Sequence, residues 1–366
     1  MDFKKQVKER ILKYARWNSH VRYRENIVKK DLAGKKGNIK AELTKEETAE
    51  LEKIWKGYLN KDRLKWFELY KTLWPGRELK YFVPDDFYYM YVDEYFTKKR
   101  GCGQIDDKNL YNMLFHDVPQ PRTIARQIDG VLLSPDYQII TQQQFIDLCR
   151  NEGRVILKKS VESAGGKGVL FYDIEKDSDK KLSDMCENQR NFIAQEVMVQ
   201  HSELARLHPE SINTVRIMTF NFEDKVTALS SVVRMGVGDS KVDNASSGGI
   251  VCGINPDGSL KERAFDVKAN RYDIHPSGTH FESVVIPHFD ECIDLAKRLT
   301  PRFARYTRLI SWDFAMNESG HPILIEANLR FGQVDFHQMC NGPIFGEMGE
   351  RVVRYIMENN PLVRKG

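Results

Sequence analysis

No apolar run in this sequence approaches the roughly 20 residues that a membrane-crossing helix requires, so no helical span is expected. The opening "MDFKKQVKER" is charged and carries no apolar h-region, which argues against a secretion signal and for a cytoplasmic protein. Metal-ligand cysteine spacing is missing too. The six cysteines (Cys102, Cys149, Cys186, Cys252, Cys292 and Cys340) are scattered with no CxxC pair, so reduced thiols are expected. There is no internal repeat and no low-complexity tract. What is present is ordinary for a globular chain: 366 residues, 41% hydrophobic and 30% charged, enough for two or three packed lobes.

The net charge of +4 is unevenly distributed. The first 40 residues hold 13 Lys and Arg against four Asp and Glu, a local excess of +9, which leaves about −5 for the rest. Within this basic arm Phe3, Val7, Ile11 and Tyr14 recur at helical spacing and predict an amphipathic helix. Such a helix fits either an anionic surface or a solvated face packed against the protein body.

Three stretches differ in texture. Residues 1–100 read as helical: Thr44 and Glu47 form a capping-box pattern before "TAELEKIW", and "RLKWFELYKTLW" is apolar-periodic up to Pro75. Trp55, Trp66 and Trp74 there read as packing residues. Residues 101–200 change to short alternations, "TIARQIDGVLL" and "QIIT", then a helix in "TQQQFIDLCR", then the strands "RVILKKS", "KGVLFYDI" and "NFIAQEVMV". Residues 201–366 continue with "NTVRIMTF", "KVTALSSVVRMG", "RLISWDFAM" and "PILIEANL". Most connections are too short for parallel crossovers, so largely antiparallel sheets and an α+β fold are expected.

Two constellations carry chemistry. In "ILKKSVESAGGKGVLFYDI" a lysine pair precedes a glycine-rich loop. A P-loop needs GxxxxGK followed by Ser or Thr and a helix, whereas Lys167 is followed by Gly168 and a strand. Protein kinases place the glycine loop before the lysine, and their later signatures are absent. A β-hairpin remains, its tip of Gly165, Gly166 and Gly168 able to close on phosphate oxygens, with a lysine on the first strand; a plain hairpin is the alternative. The second constellation is "SWDFAMNESGHPILIEANLR". Glu326 and Asn328, two apart on one strand, share a face, and Asp313 lies on the preceding strand. Two carboxylates and an amide oxygen form a hard, oxygen-only set suited to Mg²⁺.

Together these segments resemble the ATP-grasp superfamily, and specifically its sugar-transfer-associated family, over roughly Val83 to Glu347; core motifs are also similar to those of ribosomal-protein glutamate ligases. The resemblance implies an ATP-grasp fold, two α+β subdomains (residues 101–200 and 201–366) gripping ATP behind a helical N-terminal region. "DDKNLYNMLF" resembles the first nucleotide-binding segment and implicates Lys108. The lysine strand and loop implicate Lys158, Gly165, Gly166, Lys167 and Gly168. Many family members have proline after that lysine; here Lys159 stands there, which leaves Lys158 and Lys159 both open as the phosphate ligand. "IAQEVM" resembles the adenine hinge, implicating Gln195, Glu196 and Val197, and Glu203 or His201 would reach the ribose unless they start a helix. Asp313, Glu326 and Asn328 would hold Mg²⁺, two ions by analogy, with Mn²⁺ able to replace it. Arg216, Arg234 and Asn244 would meet the transferring group.

The implied activity is an ADP-forming carbon–nitrogen ligase. A carboxylate attacks ATP to give an acyl phosphate, which an amine then attacks. Arg330, His275, His337 and Gln338 are candidates for the acceptor end. The family association suggests an amino acid or amine joined to a carboxylate on a sugar or glycan precursor in polysaccharide biosynthesis. The basic N-terminus suggests peripheral association with membrane-bound glycan-assembly enzymes, and no nucleic-acid partner is expected. The contrasting reading is a non-catalytic nucleotide-binding scaffold of such an assembly.

Overall fold

The computed structural model describes residues 24–55, 58–161 and 168–360. The expected amphipathic helix through Phe3, Val7, Ile11 and Tyr14 lies outside the described residues, as do Gly165, Gly166 and Lys167. Among the described residues no helix is long and apolar enough to cross a membrane.

The chain divides into two compact units. The first takes the N-terminal residues up to Thr97, the short insert Val267–Arg271, and the stretch from Gln333 onward. Its first segment ends at Thr97 and its last begins at Gln333. Helix Lys45–Ile54 begins at the expected capping box: the Glu47 N–H donates to the Thr44 hydroxyl at 3.1 Å, and the Thr44 N–H donates to the Glu47 carboxylate at 2.7 Å. Helix Lys61–Leu73 buries Trp66, Phe67, Leu69 and Tyr70 on one stripe. Trp55 and Trp66 are core residues, and the Trp74 indole N–H donates to the Gln338 carbonyl at 2.9 Å. Two charges of the basic arm are not on the surface. Arg24 pairs with Asp93 at 3.4 Å, and Lys35, fully buried, pairs with Asp31 at 2.5 Å and Asp335 at 3.2 Å.

The second unit, Lys98–Asp266 and Tyr272–Gly332, is built on two sheets. The first sheet holds β1 (Thr123–Ile128), β2 (Val131–Leu133), β3 (Arg154–Lys159), β4 (Val169–Asp173) and β5 (Phe192–Glu196), in the order β2-β1-β5-β3-β4. The second holds β6 (Thr214–Phe222), β7 (Lys225–Met235), β8 (Ile250–Ile254), β9 (Leu260–Phe265), β10 (Arg271–Tyr272), β11 (Leu309–Met316) and β12 (Pro322–Asn328), in the order β10-β9-β8-β7-β6-β11-β12. The pairings among β1 to β5, and among β6 to β9, β11 and β12, are antiparallel, as the short connections require. "QIIT" contributes only a bridge at Ile139, and the β6–β7 turn uses Glu223 and Asp224 at positive φ. Helix Gln142–Glu152 covers the first sheet through Phe145, Ile146 and Cys149, from a Thr141–Gln144 capping box. Helix Phe289–Leu299 covers the second through Phe289, Cys292, Ala296 and Leu299. Each sheet thus has one apolar face buried, leaving its other face for polar side chains.

Candidate functional site

The second sheet writes a row of charge across three strands. Arg216 on β6 stands directly opposite Asp313 on β11, which stands opposite Glu326 on β12. Val215, Ile217, Trp312 and Phe314, their neighbours in sequence, point into the core. Strict alternation would put Glu326 on the same face as core residue Leu324. It does not, because Phe314 pairs with Leu324 and Asp313 with Glu326, which leaves Ile325 extra in a bulge. The bulge returns Ala327 to the core and turns Glu326 and Asn328 to the open face.

Asp313 is the hub of this row. Its carboxylate accepts from Arg216 Nε and Nη2, both at 2.6 Å, from Arg234 Nη1 at 3.1 Å and from the Asn328 amide at 3.2 Å. Burial alone would raise its pKa, but Arg216, then Arg234 and Asn328, outweigh it and hold the group ionised below the usual carboxylate range. Arg234 also approaches Asp243 at 3.5 Å, and the Thr214 hydroxyl donates to the same Asp243. Asp243 and Thr214 were not singled out in the sequence; Asp243 sits in a loop with no periodicity, and its only signal was its place between Arg234 and Asn244. Asn244 caps the turn Ala245–Ser247, its oxygen accepting from the Ser246 N–H and hydroxyl. The turn holds its shape because a Cβ on Gly249 would lie 2.7 Å from the Asp243 and Met235 carbonyl oxygens.

The first sheet supplies cations. On β3, Val155 and Leu157 enter the core, and Lys158 takes the opposite face. Its ammonium lies 3.3 Å from the Gln195 side-chain oxygen of β5. Lys159 takes the other face, with its stem against Gly168, where a Cβ would be 2.9 Å from the lysine carbons; Gly168 also adopts φ +82°. Burial and the neighbouring Lys108 charge push Lys158 down from 10.5 to about 8. Lys108 begins the turn Lys108–Leu110, whose N–H donates to the Ser160 carbonyl at the end of β3. Its ammonium reaches the second sheet and meets Glu326 at 2.6 Å. Lys108, Lys158, Arg216, Arg234, Asp313, Glu326 and Asn328 therefore converge on one cleft within the unit.

A magnesium-bound polyphosphate fits these residues on two observations. The half-buried ammonium of Lys158 stands beside the Lys108 ammonium, whose repulsion Glu326 and Asp243 offset only in part and a further anion would relieve. Arg234 Nε is buried with no hydrogen-bond partner among the described residues. The donors facing them, Glu326 and Asn328, offer only hard oxygens.

The other candidates are placed as follows. β5 ends at Glu196, which releases Val197 from sheet pairing; the Glu196 carboxylate accepts from the Arg122 N–H at 2.9 Å. Glu203 lies in the short helix Ser202–Ala205, ion-paired with Arg206 at 2.8 Å, and the cap of that helix is the His201 ring, accepting from the Glu203 N–H. Arg330 pairs with Asp106 at 2.7 Å. His275 is buried, its Nε2 bonded to the Gly236 carbonyl at 3.0 Å, and burial lowers its pKa so that it stays neutral. His337 and Gln338 belong to the first unit and are fully buried; the Gln338 amide bridges the Tyr70 hydroxyl and the Val83 carbonyl. Among the described residues, none of the contacts just given for Glu196, Glu203, Arg330 and His275 is to a member of the charged row.

Residues 90–352 match the family described as sugar-transfer-associated ATP-grasp. No curated protein matches the sequence. Similar solved structures include the biotin carboxylase domain of Hydrogenobacter thermophilus 2-oxoglutarate carboxylase with MgADP and bicarbonate: 13% identity, 71% of this chain and 47% of that one, TM-score 0.43. Another is D-alanyl-alanine synthetase A from Vibrio cholerae: 10% identity, 72% and 64%, TM-score 0.39. A third is D-alanine–D-alanine ligase from Bacillus anthracis: 14% identity, 71% and 68%, TM-score 0.38. The chain spans from 45% to 64% of the length of the first four structures that it resembles.

Proposed function

The chain belongs to the sugar-transfer-associated ATP-grasp family, and on that premise we propose that it is an ATP-dependent, ADP-forming carboxylate–amine ligase. The observation that carries this reading is the cleft between the two sheets. Two lysines there face a hard-oxygen set, and two arginines are already fixed beside it.

Each of these side chains has a job in phosphoryl transfer, where catalysis is mostly positioning and charge neutralisation. In the first step a substrate carboxylate oxygen bonds to the γ-phosphorus while the β–γ bridging P–O bond breaks, which gives an acyl phosphate and ADP. In the second an amine nitrogen bonds to the acyl carbon, the C–O bond to phosphate breaks, and the amine loses a proton. Lys158 and Lys108 would offset charge on the leaving diphosphate. Arg216 and Arg234, clamped by Asp313, would present their outward N–H edges to the transferring group without having to be ordered at the moment of reaction. Glu326 and Asn328, with the remaining lone pair on Asp313, would hold Mg²⁺, which supplies charge neutralisation on phosphate oxygens. Val197 and its neighbours past β5 would receive the adenine.

The substrates we propose, an amine or amino acid and a carboxylate on a sugar or glycan precursor, rest on the family's association. Docking of the basic N-terminal region on a membrane-bound assembly rests on its charge alone. The experiment is ADP release by the purified protein with Mg²⁺ and a matrix of uronic acids against amino acids. ADP, phosphate and an amide in equal amounts are expected for one pair. Nucleotide binding without turnover over the whole matrix would favour the scaffold reading, and absence of Mg²⁺-dependent nucleotide binding in calorimetry would overturn both.

A further inference from the structure

A different donor set lies at the far end of the hairpin that carries Asp313 and Glu326. The β11–β12 turn ends at His321; earlier in the chain His288 caps the helix Phe289–Leu299 and Glu291, 30 residues before His321, lies in its first turn. Both imidazoles aim Nδ1 at the same carboxylate: His288 Nδ1 is 3.2 Å from one Glu291 oxygen and His321 Nδ1 is 2.9 Å from the other. The two rings stack with centroids 4.3 Å apart and planes at 26°. One ligand atom from each of the three residues lies within 4.8 Å of the other two.

The backbone is arranged to make this approach. Gly320 adopts φ +85°, and a Cβ there would lie 3.0 Å from Pro287 Cβ and 3.3 Å from the His288 ring, so only glycine lets the turn close on that segment. His288 itself takes a left-handed conformation at φ +46°, uncommon for a residue with a side chain. The turn is further fixed by the His321 N–H donating to Asn317 at 2.9 Å. Nothing in the proposed ligase chemistry uses these residues.

We propose that His288, Glu291 and His321 form a binding site for a borderline divalent metal of the zinc class. Two imidazoles and a carboxylate are a donor set that such ions accept in tetrahedral geometry, with water in the fourth position. Imidazole donors select against Mg²⁺, which prefers oxygen, so this site and the Glu326–Asn328 face sort two different cations. Without metal each Nδ1 donates its proton to Glu291; with metal the Nδ1 lone pairs coordinate and each neutral ring carries its proton on Nε2. All three side chains are between 42% and 51% exposed, so an ion reaches them without opening the fold. Bound there, the ion ties the turn of the catalytic hairpin to the helix beneath it.

The test uses untagged full-length protein stripped with a chelator and dialysed. Zn²⁺ titration by calorimetry should show one site, unmoved by excess Mg²⁺. Cobalt substitution should give visible d–d bands without a thiolate charge-transfer band. His321→Ala and Glu291→Gln, both at exposed positions and checked for native circular dichroism, should each weaken zinc binding roughly tenfold or more. No zinc binding, binding by either variant as tight as that of the unsubstituted protein, or a thiolate signature that points to the cysteines would overturn the proposal.

Discussion

Arg216 and Asp313 face each other across β6 and β11 and close two parallel hydrogen bonds of 2.6 Å, with both side chains almost wholly buried. This is a fork-to-fork pair, and Arg234 adds a second guanidinium to the same carboxylate. Asp313 thus has a structural duty beside any contact with metal.

Asp313→Asn should expose that duty. It leaves two buried guanidiniums short of their counter-charge, which costs about 3–5 kcal/mol for a broken buried pair. Asn328→Ala removes only one hydrogen bond to the same carboxylate and should cost about 1–2 kcal/mol. Urea denaturation of both variants checks the ranking; equal losses would mean that Asp313 is a ligand and not a hub.

Lys158 and Lys159 should separate in kinetics. Lys158→Ala removes a charge-assisted contact worth about 1.5–3 kcal/mol and should raise the KM for ATP roughly ten- to hundredfold. Lys159, whose stem lies against Gly168, should change it by no more than about 0.5 kcal/mol when truncated to alanine. A larger ATP defect in Lys159→Ala would reverse the roles.

How much of this was legible beforehand depends on the range of the interaction. The capping box at Thr44 needs four residues of text, and the strands need alternation over six to eight, so both are readable. The pairing of Glu326 with Asn328 followed from their spacing, but the bulge at Ile325 that turns them off the core face did not, since a bulge is decided by the partner strand. The place of the arginines in an ordered series points to contact with the transferring phosphoryl group; that they clamp Asp313 depends on the β6–β11 register, set across 97 residues. His337 and Gln338, in "DFHQ", are acceptor-end candidates by sequence. Gln338 instead satisfies backbone groups 255 residues away, which no local pattern announces.

Nucleotide binding should take up a proton at alkaline pH. Burial and then the Lys108 charge hold Lys158 at about 8 instead of 10.5, so between those values the folded, free protein has lost a proton that the unfolded chain keeps. The lysine's own contribution therefore rises with pH across that window, because the cost of burying its charge is relieved. An anion restores the charge. Calorimetry at about pH 9 in two buffers of different ionisation enthalpy should show uptake of up to one proton, which Lys158→Met abolishes. Identical apparent enthalpies in the two buffers would contradict the coupling.

Glu326→Gln should separate chemistry from folding. It keeps the shape, replaces the charged partner of Lys108 at 2.6 Å by a neutral amide, and weakens the oxygen set. Turnover should fall about a hundredfold or more while the melting temperature changes little. Near-normal turnover in the folded variant would remove Glu326 from the metal set.

The first unit has a consequence for how the nascent chain matures. Lys35 waits for Asp335, which is made 300 residues later, and Tyr70 waits for Gln338, 268 residues on. At ~5–20 residues per second, that is an interval of roughly 15–60 s on the ribosome. Throughout it a stretch rich in buried aromatics, Trp66, Phe67 and Tyr70 among them, has emerged without the segment that completes its core. The second unit, whose last residue is Gly332, is complete in the chain before Gln333 and the residues after it that the first unit needs, so the unit that starts later in the sequence is finished earlier.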